Sequence, residues 1–402
     1  MPKSAFIEDQ QRLHFYFFDK PQIRRWGRIW KDLSIVAKKP ELLDVERAVT
    51  TRGSGDGTRI SGVYDRDNKL VGPSVRTRGK ERRPDGEPGH DELKHAPDDR
   101  RDAYYLGPGS SHYGHFILET LCRAWAWREH GANRVAVLQT AVPRFARDLY
   151  ALIPGLLVRL EVISTPTRFH RMLVPGPGFV LARTAHVEFK QLCERMAEQI
   201  VARPGPLTEQ PLYLSRAGLN AENRRTLEGE MRLEVFLEGE GFLVVRPETL
   251  PVTEQIALIN RHKWILSPVG SACHTRLFAL EETNLVTITP AQFNPNYLLC
   301  DYLCEGGSHY INALVKPDIG TNVRLARFFE PVALDGDRLL GVLKQLGLVR
   351  ASSQFGRSLF DLSEYKLRWI AIARHQAKRR PQEEPILLKA IEEVTASLET
   401  VR

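Results

Sequence analysis

Three short segments of this chain hold side chains whose types and spacing suit chemistry. The first runs Gly109-Ser110-Ser111-His112-Tyr113-Gly114-His115-Phe116-Ile117-Leu118-Glu119. On a helix, His115 and Glu119 are four apart and share a face, with His112 close by. A carboxylate on one imidazole nitrogen fixes the tautomer and leaves the other nitrogen free to take a proton, which suits a general base. The same residues allow three plainer readings. His115 could be a packing histidine satisfied by Glu119, or the pair could be an exposed charge couple. With His112 it could also hold a metal, although the arrangement is not H-E-x-x-H.

The second segment is Trp264-Ile265-Leu266-Ser267-Pro268-Val269-Gly270-Ser271-Ala272-Cys273-His274. An apolar strand runs into a Gly-Ser turn and then a helix. Unpaired N–H groups and the dipole at a helix start favour an anion, Gly270 permits close backbone approach, and Ser271 adds a hydroxyl. The pattern is neither G-x-G-x-x-G nor a P-loop, and a plain strand-to-helix turn would look the same. In the third segment, Leu212-Tyr213-Leu214 reads as a strand followed directly by Ser215-Arg216. That order puts a guanidinium at the sheet's carboxyl edge, where it can grip a phosphate. Arg224 and Arg225 precede a helix and could converge on the same anion, or they could be solvated charge beside Glu228 and Glu230 at a helix start. Other arrangements fail on geometry. Cys273 and His274 are adjacent and diverge, Cys300 and Cys304 lack a second pair for zinc, and no G-x-S-x-G elbow occurs.

The elements that must position these segments alternate between strand and helix. Strands are expected at Val135 to Leu138, Val158 to Ile163, Arg171 to Val174, Leu212 to Leu214, Phe242 to Val245, Trp264 to Leu266 and Leu285 to Ile288. Helices are expected over Tyr113 to His130, Pro143 to Leu152, Val187 to Ala202, Glu228 to Glu240, Thr253 to Arg261 and Ser271 to Leu280. Gly62 to Val71 reads as a hairpin turning at Asp65-Arg66-Asp67-Asn68. Such alternation predicts an α/β fold with parallel sheets. The Pro204-Gly205-Pro206 cluster predicts a break between residues 1–203 and 207–330, with a helical extension over 331–402.

Composition narrows the function. The 402 residues include 57 Lys plus Arg against 49 Asp plus Glu, a formal charge of +8. Residues 76–102 hold eight basic and eight acidic side chains and read as a mobile surface loop. The excess sits instead in Arg357 to Arg380, where seven basic residues stand against two acidic ones around an apolar stripe. A helix docked on the body by that stripe, or one touching an anionic membrane surface, fits this pattern. No zinc-finger or RNA-recognition motif accompanies the charge, so nucleic acid is not expected as a partner. Five scattered cysteines, no secretory leader and no long apolar run predict a cytoplasmic protein.

Taken together and in order, the segments resemble glycosyltransferase family 61, over about residues 60–290. The family helix N-Y-Y-H-W-L-L-D-x-L-P-R-L stands here as Ser111 to Arg123. Its Y-L-S-R and R-x-x-N-E-x-E stand as Tyr213 to Arg216 and Arg224 to Glu230, its G-F-x-x-x-x-P-E-x-L as Gly241 to Leu250, and its G-P-H-G-A-x-L-x-N in Ser267 to Thr275. The chain departs from the family at Val269 for His, Leu227 and Thr275 for Asn, and Glu119 for Asp; His274 could supply the imidazole absent at 269. The resemblance implies a GT-B-like architecture of two Rossmann-like domains facing a cleft, with C-terminal helices packing back. It implies an inverting transferase moving a sugar from a nucleotide-sugar donor to a glycan or lipid-linked acceptor in surface polysaccharide synthesis. His115 or Glu119 would be the base, and no metal or other cofactor would be needed. Ser215, Arg216, Arg224, Glu228, Gly270, Ser271 and His274 would bind the donor. A non-catalytic sugar- or nucleotide-binding protein on the same fold is the alternative.

Overall fold

The computed structural model describes residues 12–51, 62–75, 77–78, 81–82, 90–201, 205–219, 227–325, 331–355 and 359–399. Two mainly parallel sheets dominate them. In the larger sheet, Leu243–Val245, Leu212–Leu214, Trp264–Pro268, Asn284–Pro290 and Ser308–Val315 lie side by side and parallel. In chain order these five run 2-1-3-4-5, a doubly wound pattern whose order reverses between its first and third strands. Strands such as Leu285-Val286-Thr287-Ile288 are buried throughout because helices cover parallel sheets on both faces.

The other sheet has a parallel set of Leu160–Val162, Val135–Leu138, Asp98–Gly107 and Thr167–Pro175, in chain order 3-2-1-4. Its order reverses between Asp98–Gly107 and Thr167–Pro175. The chain leaves the end of Asp98–Gly107 toward His112, and from Tyr113 to His130 it is helical but not uniformly so. Tyr113–His115 is α-wound, Phe116–Thr120 is a π turn, Leu121–Ala126 is 3-10 and Trp127–His130 is α again. Buried Arg123 pins this segment by donating to the carbonyls of Pro73 at 2.6 Å, Pro175 at 2.8 Å and Val75 at 3.2 Å.

A single apolar core joins the two sheets. Leu106, Phe116, Leu121, Trp125 and Leu138 from one side pack in the same cluster as Val252, Ile256, Leu277, Phe278 and Tyr310 from the other.

Several expectations are corrected. The neutral stretch 76–102 is not loop throughout: His90–Lys94 is helical, and Asp98 to Asp102 open the ten-residue strand Asp98–Gly107. Its charges mislead because that strand's outer end is exposed while Ala103 to Gly107 are buried. The expected helix over Glu228 to Glu240 starts later, at Glu230–Gly239, because Leu227–Glu228 pairs as a strand with Val332–Leu334. Residues 331–402 are therefore not purely helical. Conversely, Leu13–Tyr16 pairs with Ser308–Val315, so the break near residue 204 does not divide the strands cleanly. The basic patch is partly internal as well. Lys366 is buried and donates to the Ser397 carbonyl at 3.2 Å, and Arg368 pairs with Glu228 at 2.5 Å, leaving Arg374, Lys378 and Arg379 exposed on Leu362–Arg379. No helix among the described residues is long and apolar enough to cross a membrane.

Candidate active site

Both switch points open onto one cleft of about 1300 Å³. Its walls include His112 and Tyr113, Ser215 and Arg216, and Val269, Gly270 and Ser271. Side-chain size explains why the first and third of these meet. A methyl group on Gly114 would sit 3.0 Å from Ser271 Oγ and 3.1 Å from His274 Cδ2, so the histidine-bearing turn lies directly on the Gly-Ser turn. Tyr113 and Thr275 also join across the contact by a 3.0 Å hydroxyl hydrogen bond.

His115 Nδ1 is 2.7 Å from Glu119 Oε2; the imidazole is 41% exposed and the carboxylate 5%. The π turn Phe116–Thr120 carries Glu119 inward beneath the ring, a local winding often found at functional sites. This bond leaves His115 Nε2 free for a proton, provided Nδ1 carries its hydrogen toward the carboxylate. His112 stands beside it, with ring centres 5.0 Å apart.

His115 and Glu119 do not themselves line the cleft; across it from His112, Arg216 Nη1 donates to the Val269 carbonyl at 2.9 Å, which ties the guanidinium to the Gly270 turn. The 3-10 helix Ser271–Phe278 begins there; Cys273 N–H donates to the Gly270 carbonyl at 3.2 Å, so the Ser271 and Ala272 N–H groups precede the first intrahelical bond. The Ser215-Arg216 turn is held from below by a residue that sequence reasoning left as helix support. Glu230 accepts from Arg216 N–H at 2.7 Å, Tyr213 Oη at 3.0 Å and Ser215 Oγ at 3.3 Å. Burial pushes its carboxyl above the usual range, against those bonds. Gly229, at φ 91, makes the swing possible: Glu228 faces Arg368 and Glu230 turns under Arg216. The E-x-E spacing was the available signal, but sequence could not say which acid turned in. The cleft also takes Glu248, the acid of the P-E-x-L motif, and Arg144, Asp148, Gln292 and Tyr297, which did not stand out in the sequence.

Two expected donor contacts are placed elsewhere, and a third cannot be assigned. Glu228 lies outside the cleft lining, paired with Arg368. His274 is 6% exposed, stacked on Tyr297 at 4.9 Å with Cys300 Sγ 3.6 Å from its Nδ1, so it does not replace the imidazole absent at Val269. Arg224 lies outside the described residues. Among the described residues no group of three or more His, Cys, Asp or Glu side chains is placed to hold a metal ion.

His274 has a consequence for stability. Burial, then the nearby His115 and His112, lowers its pKa to about 3. The unfolded chain takes up that proton near pH 6.5 and the folded one does not, so stability falls as pH drops from about 6.5 toward 3. The expected slope is up to about 1.4 kcal/mol per pH unit. Urea midpoints from pH 7 to 4.5 should fall less steeply in His274→Gln; identical slopes would remove His274 from the acid response.

With fold and site in view, the class follows from comparison. Residues 113–286, which begin at the histidine turn and end within the strand Asn284–Pro290, match the family model Glycosyltransferase 61. The chain is a glycosyltransferase, and the resemblance read from its motifs is to family 61. Among solved structures it is similar to the bacterial iron-containing dodecameric glycosyltransferase TibC from enterotoxigenic E. coli H10407. That likeness has 11% identity over 63% of this chain and 76% of that one, with a TM-score of 0.27. Comparison with curated proteins gives no match.

Proposed function

We propose that this glycosyltransferase is an inverting enzyme of GT-B-like architecture, cytoplasmic, transferring a sugar from a nucleotide-sugar donor to a glycan or lipid-linked acceptor in surface polysaccharide synthesis. One observation carries the donor side. Ser215-Arg216 and Gly270-Ser271 leave the carboxyl ends of adjacent strands at the switch point of a 2-1-3-4-5 sheet, where such folds bind ligands. Arg216, the Ser271 hydroxyl and the first N–H groups of Ser271–Phe278 would stabilise the departing diphosphate, so no metal is required. Next to cleft-lining His112 and Tyr113, His115 or Glu119 takes the acceptor hydroxyl proton, the other member orienting it. The acceptor oxygen then bonds to the anomeric carbon as the bond to the diphosphate oxygen breaks, and the leaving diphosphate keeps the electron pair.

In this reading residues 1–203 supply the acceptor side and 207–330 the donor side, with 331–402 packed back on the latter. Exposed Arg374, Lys378 and Arg379, beside exposed Leu367, support peripheral contact with an anionic membrane. The donor site is tested through Arg216→Ala. Charge-assisted hydrogen bonds suggest that its Kd for a nucleoside diphosphate rises about 10–100-fold by titration calorimetry. An unchanged Kd would remove the diphosphate from this turn.

A further inference from the structure

Residues 331–402 supply none of the cleft lining among the described residues, yet a short run of buried contacts joins them to the Ser215-Arg216 turn. That turn rests on Glu230, which is 2% exposed. A single carboxylate oxygen, Oε1, accepts all three bonds from Arg216 N–H, Tyr213 Oη and Ser215 Oγ. Ser215 Oγ also accepts from Ala217 N–H at 3.0 Å, which carries the same support past Arg216.

Only Gly229, at φ 91, separates Glu230 from Glu228. A methyl group added there would lie 2.5 Å from the Leu359 carbonyl oxygen, so the backbone of the C-terminal segment rests on the point where the chain swings. Glu228 is buried, and its carboxylate pairs at 2.5 Å with Arg368 Nε, on the helix Leu362–Arg379. That helix is itself fixed to the body. Tyr365 Oη donates to the Pro331 carbonyl at 2.9 Å, and Trp369 is fully buried. Asp361 caps the first turn by accepting from Ser363 N–H at 2.7 Å and Glu364 N–H at 3.1 Å.

Hydrogen bonds weaken steeply as their geometry degrades, and three of them converge on one Glu230 oxygen. A small displacement of the first turn of Glu230–Gly239 would therefore loosen the set together. Removing the Arg368 guanidinium takes a cation from a buried carboxylate, whose charge is then drawn toward water. With one glycine between them, a shift of Glu228 passes directly to Glu230. We propose that Arg368 is a positioning residue of the donor site: by holding Glu228 it sets Glu230, and through Glu230 the Arg216 turn. The C-terminal helix thus governs nucleotide affinity without touching the ligand. This rests on the donor-site reading above.

Titration calorimetry tests it. UDP, GDP, ADP and CDP are compared on the wild type, and the tightest binder is carried into the variants beside inorganic pyrophosphate. In Arg368→Ala the Kd for both is expected to rise at least about 5-fold, the lower end of coupling between distinct sites. Arg368→Lys, which keeps a cation near Glu228, raises it less. Arg368→Met with Glu228→Gln removes both charges and should return Kd most of the way to wild type. Arg350→Ala is the control for a loosened helix. Arg350 holds Glu240 by bonds of 2.6 and 3.2 Å at the other end of Glu230–Gly239, so its loss should lower the melting temperature and leave Kd unchanged. A Kd that is unchanged in Arg368→Ala, equally raised in Arg350→Ala, or still fully raised in the double variant overturns the proposal and leaves the donor site standing. A wild type that binds neither nucleotide nor pyrophosphate overturns both.

Discussion

Replacing His115 or Glu119 with alanine should lower the sugar-transfer rate by about 100- to 10,000-fold, the usual share of a positioned acid–base group. The argument is geometric. The pair is joined at 2.7 Å, its carboxylate is almost fully covered, and its imidazole is open to solvent next to cleft-lining His112 and Tyr113. With the Nδ1 hydrogen directed at the buried acid, Nε2 is left to accept a proton. Glu119→Gln is the sharper variant, since it keeps shape but loses the charge that would stabilise an imidazolium. Initial rates are measured with the donor found by nucleotide-sugar screening, beside the melting temperature and the Kd for the nucleoside diphosphate. The rate should fall in all three variants while nucleotide affinity stays near wild type, because neither His115 nor Glu119 lines the cleft that holds Arg216. Full activity in both alanine variants would take the pair out of the mechanism.

The second large effect is on stability. Arg276 and Asp301 form an ion pair at 3.0 Å with side chains 2% and 3% exposed. The guanidinium also donates to Ser308 Oγ at 2.5 Å and to the carbonyls of Thr283 at 2.6 Å, Glu305 at 3.0 Å and Gly307 at 3.2 Å. Tyr310 donates to the other Asp301 oxygen. Burial pushes the Asp301 carboxyl up and Arg276 opposes the shift. Asp301→Ala strands a buried guanidinium and should cost about 3–5 kcal/mol in urea unfolding. Arg276→Met with Asp301→Leu should recover most of that loss, because it removes both charges and restores apolar packing. A loss below about 1 kcal/mol in the single variant would contradict a tightly desolvated pair. Arg276 belongs to Ser271–Phe278, so its loosening should also weaken nucleotide binding.

How far the sequence could be read depended on the range of the forces involved. Local patterns were legible. Val135 to Leu138 and Leu212 to Leu214 form strands at those bounds, and the Gly62 to Val71 hairpin turns at Asp65 to Asn68. His115 and Glu119 meet because helical spacing is itself local. Long-range pairing was not legible. Nothing near Glu228 announces a strand, since its partner is 105 positions away, at Ala333. Glu230 looked like a helix-start acid until the fold brought Ser215 and Arg216 above it. Asp98 to Asp102 carry a surface composition but continue a strand whose inner half is buried. The acids and arginines there record exposure, not looseness.

The pairing of Leu13–Tyr16 with Ser308–Val315 bears on how the chain is made. Phe17, just past the first strand, accepts a hydrogen bond from Asn312, 295 positions later. A ribosome adding about 5–20 residues per second needs about 15–60 s to cover that interval. Throughout it the amino-terminal strand has no edge to join, and the Ser308–Val315 edge is the last of the five parallel strands to emerge. Vectorial synthesis thus leaves an early apolar segment waiting for its acceptor. A fragment beginning after residue 204 would lack that strand altogether, leaving part of the Ser308–Val315 edge open to pairing with other molecules.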